Sequence, residues 1–484
     1  MASTLATRLQ APVDVASLTV WRVLFGLLMA VTHARFVVEG WVEAFYVTPV
    51  FRFAYWGLSW LPALPGPALM ALHLLLAGMG LALAVGRAPR TMALLLGLGM
   101  AATDALDLTN YLNHHYLAVL LCGLGALTLP RRGQATAPTW ALWLLRAQVA
   151  IVYVFASVAK MGPDWLLHGQ PLNTWLVARS DWPLLGPAFE LRETAIAMSW
   201  AGMLYDLTIP GWLLWRRSRP FALVVLLTFH TMTALLFRIG IFPYLMTINA
   251  LLFLAPDWPR RFAAGRWLLA RIYAPIPARG DAVKRADAVT TVGSAAVPTW
   301  PLSTPLRPWQ LGALGLYLLL QVTMPLRFLA YPGPVLWAEE GMRFSWRVMV
   351  REKHGDVSFR VRRGDGREVR VEPRHWLDSR QAREMASQPD MILQLAHRIA
   401  DDHRARGDGE VAVLVDAWVS LNGRPPVRMI DPTVDLAREV DTLAPKPWIL
   451  PPPPGPPGHF GHSLFASAAP TERSAALSID QELP

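Results

Sequence analysis

About nine stretches of this chain are apolar enough, and nearly long enough, to cross a lipid bilayer, which leaves few folds open to it. They fall near 17–37, 68–86, 90–106, 115–130, 139–160, 194–214, 220–237, 241–256 and 309–330, against the roughly 20 residues that a helix needs to span the hydrocarbon core. Within lipid every backbone N–H and C=O must be satisfied inside the segment, so each run is expected as a helix. The third and eighth runs are short. Charged residues make up 17% of the chain and hydrophobic ones 53%, where an ordinary soluble domain carries about 25% charged. The expected fold is a polytopic α-helical membrane protein of about nine spans, with the bilayer as its first partner. The net charge of +10 does not point to nucleic acid, because the arginines fall between the apolar runs, where they orient a polytopic protein. Cys122 is the single cysteine, so neither a disulfide framework nor a cysteine metal site is expected. The first run is too long for a signal peptide and is expected to stay as a span.

Orientation follows from the loops. Arg87 and Arg90, Arg131 and Arg132, Arg216, Arg217 and Arg219, and the series from Arg260 to Arg285 follow the second, fourth, sixth and eighth runs. The other loops carry few basic residues or balance them with Glu39, Glu43, Asp181 and Glu190. Short basic loops stay cytoplasmic. The N-terminus is then inside, and everything after Ala330 is outside, most simply across a bacterial inner membrane.

Beyond the last run the chain changes character. Alternation predicts strands over 343–351, 357–363 and 368–371, with a Gly364-Asp365-Gly366 turn between the last two. A helix over 378–403 and a strand over 411–421 follow. The expected organisation is a membrane catalytic domain, 1–330, containing a cytoplasmic linker at 272–308 between runs eight and nine. A small extracytoplasmic α+β domain follows at 331–445. The proline-rich tail, 446–484, reads as disordered.

Of the 45 basic residues only Lys160, Lys284, Lys353 and Lys446 are lysines, and Lys160 closes the fifth apolar run. A cation that only anchors a helix end at the headgroups could as well be arginine, the residue used almost everywhere else here. A lysine in apolar surroundings can lose its proton near neutral pH, and an arginine cannot. Lys160 therefore reads either as a snorkelling anchor or as a general base. Other polar groups cost energy in lipid and ask for a reason. Asp107, Asn113, His114, His115 and Tyr116 cluster at the outer junction of runs three and four, while Asp206 and His230 lie inside runs six and seven. By topology His114 and Lys160 share the outer leaflet and can line one pocket. Each histidine can equally be a core residue bonded to backbone. The His-rich boxes of membrane di-iron enzymes need several HxxxH or HxxHH sets, which are missing here, so no metal is expected. Haem held by His114 and His230 would rest on that spacing alone.

Several segments, taken together, resemble the vitamin K-dependent γ-glutamyl carboxylase family in its bacterial, HTTM-domain form. They are Leu112-Asn113-His114-His115-Tyr116-Leu117, Val154 through Lys160 with Asp164-Trp165, and Phe229-His230 followed by Ile239 through Tyr244. Phe344-Ser345-Trp346 with Met349-Val350, and Asp416 through Asn422 leading to Ile430-Asp431-Pro432, complete the set. No one motif is specific; five in order, from about 17 to 440, are. The resemblance implies nine spans with the catalytic groups outside, in agreement with the arginines. It implies that Lys160 deprotonates a reduced naphthoquinone of vitamin K or menaquinol type. O2 then gives a strongly basic intermediate, a peptide glutamate loses its γ-proton, CO2 adds, and the quinone leaves as its epoxide. His114 matches the histidine that assists this chemistry. Asn113, Asp107, His230, Tyr116 and Trp346 match family positions in binding roles.

The sequence departs from the family at two places. Arg327 stands where eukaryotic members carry a histidine, and Met342 where bacterial relatives often do. Two further readings therefore stay open: a quinol epoxidase that does not carboxylate a glutamate-containing peptide, and a non-catalytic quinone-binding or transport protein that kept the fold.

Overall fold

The computed structural model describes residues 7–131, 133–273 and 306–462. Its membrane part consists of helices α1 (Ala16–Val38), α2 (Gly66–Val85), α3 (Pro89–Asp104), α4 (Asn113–Thr128), α5 (Thr139–Ala159), α6 (Arg192–Leu214), α7 (Arg219–Leu236), α8 (Phe242–Ala250), α9 (Ala263–Tyr273) and α10 (Pro308–Leu326). Helices stand at all of the predicted runs. Among the described residues, five are long and apolar enough to cross a membrane: α1, α2, α5, α7 and α10 with its 3-10 extension to Ala330. Helices α3 and α4 have 16 residues each, and α8 only 9 before a 3-10 turn, Leu251–Phe253. Exposed Leu74, Leu81, Phe221, Val224, Leu316 and Leu319 face outward from α2, α7 and α10, as lipid-facing residues do.

Small residues set the closest helix contact. A Cβ added at Gly26 of α1 would lie 2.7 Å from the Ala84 nitrogen and the Gly80 oxygen of α2, and one added at Gly80 would lie 2.8 Å from the Ala30 nitrogen. Gly26 with Ala30 and Gly80 with Ala84 thus form two facing small-xxx-small stripes, which allow backbone contact in lipid. Gly86 ends α2 at φ +84°, and the buried Arg22 guanidinium donates to the last-turn carbonyls of Leu83 and Ala84. Beside Arg22 on α1, Trp21 donates to Asn249 Oδ1 at 2.9 Å, and Arg146 donates to the Leu252 carbonyl at 2.7 Å. A short antiparallel pair, β1 (Pro12–Asp14) with β2 (Thr136–Pro138), closes that end.

The C-terminal domain is a four-stranded antiparallel sheet in the order β4 (Glu368–Val371), β3 (Lys353–Arg362), β5 (Ala412–Leu421), β6 (Val427–Arg428). In the β3–β5 register Val357 opposes Ala417, Phe359 opposes Val415 and Val361 opposes Val413. These buried residues form one face. Helices α11 (Ser379–Met385) and α12 (Pro389–Ala405) cover that face through Met385, Met391, Ile392, Leu395 and Ile399. Phe53 and Leu108 from loops of the membrane part enter the same core. Gln394 exchanges two 2.9 Å bonds with the backbone of Ala54, so the two parts are docked.

Three expectations need correction. The stretch 343–351 is not a strand: Phe344, Trp346 and Met349 have φ of +61°, +58° and +53°, which breaks any ladder. The single helix expected over 378–403 is two, parted where Pro389 opens α12 and cannot continue a preceding turn. The tail is packed as far as His462. Leu450 N donates to the Met429 carbonyl at 2.8 Å, Trp448 is buried, and Phe460 N donates to Asn173 Oδ1 at 2.8 Å. The rest of the predicted disordered tail, from 463, and nearly all of the predicted linker at 272–308, lie outside the described residues.

Candidate active site

Lys160 is the C-cap residue of α5, and its side chain turns into the bundle, where the residue is 7% exposed. Nζ donates to Asp206 Oδ2 at 2.8 Å and to the Ala156 carbonyl at 3.3 Å. It lies 5.5 Å from the Trp165 ring centroid. Helix α6 is held in place for this: Ser157 Oγ donates to the Met203 carbonyl at 2.9 Å, and Trp165 Nε1 to the Ser199 carbonyl at 2.7 Å.

Deeper in the bundle the same helix faces carry aromatic hydroxyls. Tyr153 precedes Lys160 by two helical turns, so both project from one face of α5. Tyr205 neighbours Asp206 on α6. Both hydroxyls reach His230 Nε2 of α7, at 3.0 Å from Tyr153 and 3.3 Å from Tyr205. A neutral imidazole accepts one of them at that lone pair. The ring of Phe242, opening α8, lies 6.5 Å from His230 and 6.4 Å from His114. Phe242 is thus a neighbour of both His230 and His114.

His114 sits at the start of α4, is 6% exposed, and packs edge-on to His115 at 4.9 Å. Its Nε2 has no hydrogen-bond partner among the described residues, and the same is true of His230 Nδ1 and Trp346 Nε1. A buried donor or acceptor without a partner costs about 1–3 kcal/mol, so at each of these three atoms a bound polar group would offset that cost. Tyr116, half a turn beyond His114, stacks on Trp346 at 5.0 Å and meets Phe344 edge-on at 4.9 Å. Phe344 N donates to Tyr111 Oη at 2.7 Å, and that hydroxyl donates to Asn113 Oδ1 at 3.0 Å. The left-handed loop of the C-terminal domain is therefore seated against α4.

The predicted residues separate into groups. Lys160 and His230 belong to one polar cluster. Phe242 neighbours both His230 and His114, and His114 shares its region with Asn113, Tyr116 and Trp346. No bond joins Lys160 to His114 among the described residues. Asp107 stands apart. It is 0% exposed, and its oxygens accept from Thr109 N at 2.9 Å, Thr109 Oγ1 at 2.8 Å and Gln381 Nε2 at 3.1 Å. Burial raises its pKa, and those bonds, with Arg380 nearby, pull it back. Its geometry is that of a tie between the loop after α3 and the C-terminal domain.

Sequence reading noticed Asp206 as a costly residue within a span but gave it no place in the site, and it passed over Tyr153 and Tyr205. Tyr153 carried a usable signal, the seven-residue spacing to Lys160. A second buried cluster went unnoticed: His33 Nδ1 meets His73 Nδ1 at 3.1 Å, with Phe36 stacked on His73 at 4.5 Å. Among the described residues no group of three or more His, Cys, Asp or Glu converges as metal ligands do.

Two family models match the chain. Residues 10–258 match the HTTM domain, and residues 306–454 match the vitamin K-dependent gamma-carboxylase lumenal domain. The chain belongs to the vitamin K-dependent gamma-carboxylase family. No solved structure matches it. The first family match runs from the β1 region to just past α8, and the second from the residues before α10 into the packed part of the tail. Membership fits an integral membrane protein whose C-terminal domain lies outside the cytoplasm, and an enzyme that takes reduced vitamin K as co-substrate.

Proposed function

We propose that the chain is a γ-glutamyl carboxylase-like enzyme of a bacterial inner membrane. It has nine spans, a cytoplasmic N-terminus, and its site towards the outer face. The observation that carries this reading is the Lys160–Asp206 pair, 2.8 Å apart and buried between α5 and α6. Buried ion pairs seldom repay their desolvation as stability, so their retention asks for another reason. A flat quinol with two hydroxyls suits the residues present: the rings of Phe242, Tyr116 and Trp346 for its faces, and the unpartnered His114 Nε2, His230 Nδ1 and Trp346 Nε1 for its oxygens. When bound, the reduced naphthoquinone supplies the O2-dependent oxidation that drives glutamate deprotonation and CO2 addition.

The chain's own groups then have distinct tasks. Lys160 Nζ takes the hydroxyl proton. His114 Nε2 bonds the oxygen on which charge develops, in a site that excludes water and so strengthens that bond. Tyr153 and Tyr205 hold His230 in one orientation. Asn113, Tyr116 and Trp346 position the quinol, and Asp107 fixes the docked domain. The peptide glutamate would approach from the C-terminal domain.

One observation favours a second reading, quinol epoxidation without peptide carboxylation. Arg327 donates to the Arg343 carbonyl and to Met324 Sδ, and Met342 packs among apolar residues; neither position offers an imidazole. Purified protein given reduced naphthoquinone, O2, bicarbonate and a Glu-rich peptide separates the cases. Epoxide with γ-carboxyglutamate supports the carboxylase, epoxide alone supports the second reading, and neither product defeats both.

A further inference from the structure

The pairing of Lys160 with Asp206 raises a difficulty for a lysine base. An ammonium has no lone pair, so in the ion-paired state Lys160 has nothing with which to accept a proton. The remedy of supposing Lys160 neutral beside an ionised Asp206 leaves a buried carboxylate without a countercharge, a state that costs several kcal/mol. Among the described residues no other cation bonds Asp206.

We propose that Asp206, acting through Lys160, is where the quinol proton comes to rest, so that the base is the pair and not the lysine alone. This rests on the reading of Lys160 given above. In the step, the quinol O–H bond breaks and its electron pair stays on oxygen. That proton forms an N–H bond on Lys160 as Lys160 passes another of its protons to Asp206 Oδ2, 2.8 Å away. The products are a quinolate, an ammonium and a neutral carboxylic acid. No oxidant or further reactant is needed.

The geometry makes this exchange economical. Before it, one buried ammonium faces one buried carboxylate; after it, the same ammonium faces the quinolate. The number of buried charges is unchanged, so the step avoids creating an unpaired ion in the bundle. The carbonyl of Ala156, 3.3 Å from Nζ, holds the amine in place while its bonds change. Among the described residues, the titratable groups that interact with Asp206 from the packed helices, besides Lys160, are Tyr153 of α5 and Tyr205 of α6, with His230 of α7 as their shared partner. They bond to one another and leave the carboxylate as the acceptor in contact with Lys160. Asp206 is accordingly a positioning residue that also stores a proton.

Binding without turnover tests this. The full-length protein is given reduced naphthoquinone without O2 at neutral pH, and two signals are read. Optical absorption reports quinolate, and infrared difference spectra report the carbonyl stretch of a protonated carboxylic acid. Both are expected in the wild type. Asp206→Asn should lose the acid band and lower the quinolate fraction by about tenfold or more, Asp206→Glu should restore part of both, and quinolate in the asparagine variant should return only as the quinol ionises unaided at high pH. Quinolate in the wild type without the acid band overturns this proposal and leaves Lys160 as a solitary base. No quinolate at all overturns the base reading itself. Wild-type quinolate levels in Asp206→Asn also end the proposal. If that variant does not fold, the wild-type infrared measurement decides alone.

Discussion

Arg424 grips Asp164 with two bonds of 2.7 Å, one to each carboxylate oxygen, and Asn422 adds a third at 2.9 Å. The contact ties the end of β5 to the segment four residues past Lys160, so the C-terminal domain is anchored next to the candidate base. Bidentate pairs of this kind fix orientation as well as adding energy.

Removing one partner should therefore loosen the domain. Arg424→Ala leaves a largely buried carboxylate with only Asn422, at an expected cost of about 3 kcal/mol, seen as a lower unfolding temperature. The pH dependence follows from the same contact. Burial pushes the Asp164 pKa up, but the bonds and charge of Arg424 and the bond from Asn422 outweigh it and hold it below the ordinary range. A carboxylate lowered on folding stabilises above its unfolded pKa of about 3.9, and the stabilisation is lost as pH falls through the folded value. Acid scans of wild type and Asp164→Asn should converge below about pH 4; curves that stay parallel would show that the pair contributes nothing.

Lys353 gives a dependence of the same sign at the alkaline end. Its Nζ is buried against Glu339 Oε1 at 3.0 Å and the Trp337 carbonyl at 2.9 Å. Burial lowers its pKa to about 8 despite Glu339. Between pH 8 and its unfolded value of about 10.4 the unfolded chain holds more protons, so this group makes stability rise with pH across that window. Lys353→Met should remove the rise while costing little at neutral pH, because Glu339 keeps Arg351 as a partner. An unchanged alkaline slope in that variant would refute the assignment.

Topology is open to a direct check. Residues 446–462 pack on the domain and on the loop before α6, so a reporter belongs after Pro484 and not within that strap. With the basic loops inside, a phosphatase fused there should be active and a fluorescent protein that matures only in the cytoplasm should be dark. The reverse result would change the number of crossings by one and turn the site inward.

Apolar length made the helices legible, since the same runs that fill a bilayer must satisfy their own backbone. Gly364-Asp365-Gly366 announced the β3–β4 hairpin for a similarly local reason. The stretch 343–351 misled because its polar–apolar alternation reads as a strand. In the fold Phe344 and Trp346 both turn onto Tyr116, held there by left-handed backbone that composition does not reveal. The tail misled in another way. Prolines read as disorder, yet they need no hydrogen-bond acceptor, and Trp448 and Leu450 supply the packing and the bonds. The Lys160–Asp206 pair was out of reach because no spacing rule relates residues on different helices.

His114 should be needed for turnover and dispensable for folding. Its Nε2 has no partner among the described residues, so His114→Ala breaks no hydrogen bond at that atom. The variant should insert and unfold much like the wild type, while quinol turnover falls by about a hundredfold or more. Loss of folded protein in step with loss of activity would mean instead that the ring is there to pack against His115 and Phe242.

Lys160→Arg separates the anchor from the base. An arginine keeps the positive charge, can still bond Asp206, and tolerates the helix end, so an anchoring role predicts a variant that inserts and behaves as the wild type does. The guanidinium cannot release a proton at any accessible pH, so it can neither accept one from the quinol nor pass one to Asp206. A proton-transfer role therefore predicts a folded protein, with unfolding temperature close to wild type, whose epoxide formation at neutral pH is lost. Its activity should reappear only where the quinol ionises without help, which moves the rate profile to higher pH. Wild-type epoxide formation by Lys160→Arg at neutral pH would end the general-base reading, and the case for quinol chemistry in this bundle would then rest on family membership alone.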